Sequence, residues 1–96
     1  MNYRTIDLAV GKEEARRHIA ERVPVVTAKE VGADIEYLTP AGFHVATLSD
    51  VTLPDGRRGT RLKYRSVIVS SSAAHARRIA HEVRDAVVEY RHERDR

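Results

Sequence analysis

Between Ala73 and His92, the apolar residues Ala76, Ile79, Ala80, Val83, Ala86, Val87 and Tyr90 recur at the three-and-four spacing of one helix face. Arg77, Arg78, His81, Arg84, Asp85 and Arg91 fall on the other side. A helix with so wide an apolar stripe draws most of its stability from the surface it covers, not from its own propensity. The rest of the chain must therefore build that surface. The pattern predicts a helix over 73–92, with Ser70-Ser71-Ser72 offering N-caps and the polar run from His92 to Arg96 fraying.

The preceding residues read as strands. In 3–10, Ile6, Leu8 and Val10 alternate with Thr5, Asp7 and Ala9, the period of a half-buried strand. Gly11 breaks it. A short helix follows at 12–22, with Glu13 and Glu14 in its first turn, Ala15, Ile19 and Val23 along one side, and Pro24 as its stop. Residues 25–31 and 34–39 are β-prone, joined at Gly32-Ala33 by a tight hairpin turn or a bulge. Pro40-Ala41-Gly42 is a turn. In 43–53, Phe43, Val45, Thr47, Val51 and Leu53 mark one face; His44, Ala46, Asp50 and Thr52 mark the other. Leu48 and Ser49 break the pattern and predict a bulge there. Pro54-Asp55-Gly56 is a strong turn signal that Arg57-Arg58-Gly59 extends. Over 60–70, Leu62, Tyr64, Ser66 and Ile68 face one way and Arg61, Lys63 and Arg65 the other.

The order is β-α-β-β-β-β-α. Short connections make sequential strands neighbours, and alternating faces leave one side of the sheet wet. The expected fold class is α+β: one domain over 1–96, an antiparallel sheet covered by the long C-terminal helix. With 42% apolar and 32% charged residues the composition is that of a globular protein. Absence of cysteine removes disulfides and thiolate chemistry. No run is long and apolar enough for a membrane span and the first residues lack a secretory h-region, so the expected location is cytoplasmic.

Three stretches carry a resemblance. The first strand runs directly into a short helix from Ile6 to Arg22; the last hairpin closes through Asp55-Gly56-Arg57-Arg58-Gly59-Thr60-Arg61-Leu62-Lys63-Tyr64; and the last strand passes through serines into the helix from Ala73 to Tyr90. This order resembles the helix-grip fold of the SRPBCC superfamily, the START-like and polyketide-cyclase-like proteins. The resemblance implies a binding domain whose small apolar ligand lies between the long helix and the sheet. The strand faces and the helix stripe would line that site with Tyr37, Phe43, Val45, Tyr64, Val83, Val87 and Tyr90. In a chain this short, a filled core or shallow cleft is expected rather than an enclosed cavity. A second copy in a two-fold homodimer is the expected cover for leftover apolar surface.

Charge points to an alternative. Residues 1–56 hold six Lys/Arg against nine Asp/Glu; residues 57–96 hold eleven against five. Arg57, Arg58, Arg61, Lys63 and Arg65 gather on one strand and its turn, which would suit a sequence-nonspecific nucleic-acid binder. Such platforms also stack bases on exposed aromatics, and Tyr64 is on the opposite, inner face. His18, with Glu14 four residues before it, offers a third reading as a small acid–base enzyme. The five histidines form no metal-binding pair, Asp34 and Glu36 read as an exposed strand face, and the serine run lacks a nucleophile elbow or P-loop. No catalytic residue, metal or cofactor is therefore expected.

The helix face makes the first prediction. Ile6, Leu8, Ile19, Val45, Leu62, Tyr64, Ile68, Ile79, Val83 and Val87 should form the core. Ile79→Asp or Val83→Asp places an unpaired charge there and should unfold the domain. A cooperative, near-native thermal transition in either variant would contradict the assigned face.

Overall fold

The meander between 27 and 65 is set by two turns that close in the same way. The computed structural model describes residues 3–66 and 74–94. In both Thr39-Pro40-Ala41-Gly42 and Leu53-Pro54-Asp55-Gly56, the glycine N–H donates to the carbonyl three residues back, at 2.9 Å. Proline presets the first central position, and each glycine takes a positive φ, 91° at Gly42 and 87° at Gly56. The chain then re-enters the ladder, with Thr39 N–H donating to Phe43 O and Leu53 N–H to Arg57 O, each at 2.8 Å. The Gly32-Ala33 step is a two-residue hairpin, since Val31 pairs with Asp34.

The elements are β1 (Tyr3–Leu8), α1 (Lys12–Arg22), β2 (Thr27–Val31), β3 (Asp34–Leu38), β4 (His44–Thr52), β5 (Arg58–Arg65) and α2 (Ala74–Arg94). They form the expected α+β architecture: one five-stranded antiparallel sheet in the order β1-β5-β4-β3-β2, covered by the C-terminal helix. α2 continues to Arg94, beyond the expected fraying point. Ile68, Ser70–Ser72 and the expected helix start at Ala73 lie outside the described residues, as do the last two residues of the tail. No helix among the described residues is long and apolar enough to cross a membrane.

One face assignment is corrected. The bulge in β4 lies near its start, not at Leu48-Ser49. Tyr37 pairs with Ala46 while Leu38 pairs with His44, so Val45 is the extra residue. Val45 and Ala46 are both fully buried. After the bulge, Leu48 pairs with Leu62 and Ile35 on the core side, which puts Thr47 and Val51 on the outer face. Phe43, expected inside, precedes the bulge and is 39% exposed. The extra residue reverses the alternation that the uninterrupted strand pattern assumed.

The inner face carries Ile6, Leu8, Ile35, Tyr37, Leu48, Leu62 and Tyr64, and both helices pack on it. α2 lays Ala76, Ile79, Ala80, Val83, Ala86 and Val87 into this core, and α1 adds Ala15 and Ile19. Burying each large aliphatic side chain contributes about 1.5–3 kcal/mol. Lys12 reaches the Asp50 carboxylate at 3.0 Å and the Ala33 carbonyl, and Arg16 reaches Glu30 at 3.0 Å. These contacts hold α1 toward the β2 side, leaving the β5 side to α2.

β1 and β5 meet closely at Gly59. A Cβ there would stand 2.5 Å from the Leu8 carbonyl oxygen and 3.0 Å from Leu53 Cγ. Beside it, the buried Thr60 hydroxyl donates to the Val10 carbonyl at 2.7 Å. Gly59→Ala must push backbone apart. It is expected to cost about 1–3 kcal/mol, seen as a lower urea midpoint; an unchanged midpoint would contradict this contact.

Candidate functional site

Strand alternation sends Arg61, Lys63 and Arg65 to the outer face, as predicted, but two of these cations are engaged within the protein. Arg61 holds Asp7 with two hydrogen bonds, 2.8 and 3.0 Å, which keep the Asp7 carboxyl below its ordinary value. Arg65 donates to the His44 carbonyl at 2.9 Å and to the Tyr3 hydroxyl at 3.1 Å. The Lys63 ammonium and the Arg65 guanidinium lie 5.2 and 5.3 Å from the Tyr3 ring centre. Arg57 sits in the turn, bonded to Asp55. Arg58 is exposed at the start of β5 and by alternation shares the face of Thr60 and Leu62. The outer face also carries Asp34 and Glu36, so its charge is mixed. Tyr3 is an aromatic that the sequence reading overlooked there. The alternation that turns Ile6 and Leu8 inward already turns Tyr3 outward.

His44 is half-buried on the same face. Its Nδ1 lies 3.0 Å from the Tyr3 hydroxyl and its Nε2 2.7 Å from Thr47 Oγ1. Burial holds its pKa below the ordinary 6.5; Glu36 opposes this, and Arg65 and Lys63 reinforce it.

The residues expected around a helix-grip pocket are spread through the core and its edge. Tyr37, Val45, Tyr64, Val83 and Val87 belong to the core cluster, and Tyr90 packs against it. The Tyr37 hydroxyl is shielded and has no hydrogen-bond partner among the described residues; burial pushes its pKa up to about 12. His18 is buried at the contact of α1 with α2, its ring centre 5.0 Å from that of Tyr90, whose hydroxyl donates to Glu14 at 2.5 Å. Glu14 thus serves Tyr90 as well as its own helix.

Open hollows indent the surface of the described residues, and three of them bear on the choice of site. One of about 260 Å³ lies by the β4–β5 turn, where Arg57 is matched by Asp55. A second, about 210 Å³, lies between the end of α1 and α2; it is lined by Glu82, Asp85 and Glu89, with Arg22 bound to Glu89 at 3.1 Å. The third, about 170 Å³, has no carboxylate among the described residues that line it: Arg4, Tyr64, Ser66, Arg77, His81 and Arg84. We take it as the candidate site because its charge is the least compensated.

The fold assembles this cleft from distant residues. Arg77, His81 and Arg84 fall on one side of α2, next to the buried stripe. Arg4 pairs directly with Tyr64 across β1 and β5, so both face the helix side of the sheet. Arg77 Nε donates to the Ser66 carbonyl at 3.0 Å, which pins that guanidinium beside the end of β5. The Arg84 guanidinium bonds Asp85 and lies 5.5 Å from the Tyr64 ring centre; hydrogen bonding to Asp85, then to Tyr64, holds its pKa above the ordinary value. His81 meets the Tyr64 ring edge-on at 6.0 Å, and its Nε2 is shielded with no partner among the described residues. Burial holds the His81 pKa below the ordinary 6.5; Arg84, Arg77 and Arg4 reinforce this and Asp85 opposes it. Chemically the cleft can hold negative charge. Among the described residues no cluster of three or more His, Asp or Glu could hold a metal.

The chain matches no family model, no curated protein and no solved structure.

Both His44 and His81 titrate below 6.5 in the folded protein, so the unfolded chain binds their protons more readily. The stability this contributes is complete above about 6.5 and is lost as pH falls below it. Urea midpoints should therefore drop between about pH 7.5 and 5, and His44→Gln should reduce the slope. A midpoint that rises on acidification over this window would contradict the assignment.

Proposed function

We propose that this chain is a non-catalytic binding domain of the helix-grip kind, as its resemblance to SRPBCC proteins suggests, and that its ligand carries an anionic group held at the Arg4–Arg77–His81–Arg84 cleft. The observation that carries this reading is the cleft lining, three guanidiniums and an imidazole without a carboxylate among them. Guanidiniums bind oxyanions through paired, charge-assisted hydrogen bonds. The cleft is smaller than the roughly 300–1,000 Å³ of drug-sized sites, so it suits a head group rather than a whole apolar ligand. An imidazole shielded among cations is a weak base, which favours binding over acid–base catalysis at His81. On this reading the protein works in the cytoplasm. A second copy is the natural cover for the fully exposed edge strand β2, whose own Val31 and the preceding Val25 stand open.

Nucleic-acid binding on the outer face is the second reading, favoured by Tyr3 between Lys63 and Arg65. One calorimetric series separates the two. Pyrophosphate at low salt should bind the native protein, Arg4→Ser should weaken it by about tenfold, and the triple change Arg61→Ser, Lys63→Ser, Arg65→Ser should leave it intact. Loss in the triple variant with Arg4→Ser unaffected would move the site to the outer face.

A further inference from the structure

The cleft offers more positive charge than a monoanion needs. A planar carboxylate is satisfied by one guanidinium fork. Here Arg77 and Arg84 stand seven residues apart on α2, about 10 Å along its axis, with His81 between them and Arg4 facing them from β1. A tetrahedral oxyanion presents acceptors in several directions at once and can meet donors from both helix turns and from the strand. Among the described residues, Arg77 bonds through its Nε alone, to Ser66 O. Arg4 has no partner among the described residues, and Arg84 is shared with a single carboxylate, Asp85.

His81 occupies the middle of this arrangement. The groups facing it are Arg4 from β1, Tyr64 from β5, Ser66 just beyond β5, and Arg77, Arg84 and Asp85 on its own helix. Burial, and with it the neighbouring cations, opposes a positive charge on the ring. A bound dianion would reverse that balance and supply an acceptor for a second imidazole N–H. We infer that the cleft selects a dianionic tetrahedral head group of the phosphate-monoester class and that His81 takes up a proton when that group binds. This rests on the anion-binding reading above.

Sulfate is the suitable probe, because it remains dianionic from about pH 5 to 8 while histidine titrates in that range. Sulfate affinity should rise as the solution is acidified, by up to about tenfold per pH unit. Calorimetry in two buffers of different ionisation enthalpy should show proton uptake approaching one per sulfate. His81→Gln should keep sulfate binding at the alkaline end and lose the pH dependence. In the unaltered protein, the NMR titration midpoint of the His81 ring should move up on saturation with sulfate, a readout that requires no variant to fold. Acetate should bind far more weakly than sulfate. Sulfate binding that is flat with pH, or equalled by acetate, would overturn this inference and leave the anion site standing. No sulfate binding at any pH would overturn both.

Discussion

Burial of the α2 stripe against Leu48, Leu62 and Tyr64 is the contact on which the rest of this structure depends. It makes a twenty-one-residue helix stable where an isolated one would be marginal. It also fixes the rotation of that helix. Once Ile79, Ala80, Val83 and Val87 face the sheet, Arg77, His81 and Arg84 must lie at its flank over the β1–β5 side, and Glu82, Asp85 and Glu89 toward α1. The helix thereby sorts its charges, with a basic cleft on one side and an acidic hollow on the other.

The sheet order completes the cleft. β1 leaves one edge, the chain crosses through α1, and β2 begins at the other edge. β1 therefore has only β5 as a neighbour, and their register sets Arg4 opposite Tyr64 at the open end of the core. The same register sets Tyr3 opposite Arg65 and Asp7 opposite Arg61 on the outer face, where strand and strand neutralise or shield each other. One ladder thus leaves Arg4 without a partner among the described residues on its inner side, while on its outer side Arg61 is paired with Asp7 and Lys63 and Arg65 lie against the Tyr3 ring.

Much of this was legible in the residues. The α2 stripe, the Pro-x-Gly turns and the alternation over 60–65 are local patterns, and each formed where its period placed it. The faces of β4 were not legible. The bulge at Val45 is a property of pairing with β3, and no local signal separates it from the pattern break at Leu48-Ser49. The basic cluster was visible only as parts. Arg77, His81 and Arg84 read only as the outer side of a helix, and Arg4 carried no signal of its own, because their meeting requires the β1–β5 register across the whole chain. The visible cluster, Arg57 to Arg65, drew attention for its density. Its compensation by Asp7, Asp55 and Tyr3 is again non-local or set by turn geometry.

On the proposed reading, anions are held where α2 meets the end of the β1–β5 ladder. The most direct test is an NMR map of arginine Nε–Hε and backbone signals during titration with inorganic phosphate. The account predicts saturable shifts at Arg4, Arg77 and Arg84 and at the Tyr64 amide, with Arg61 and Arg65 unmoved. Shifts centred on Arg61 and Arg65, or none that saturate, would contradict it.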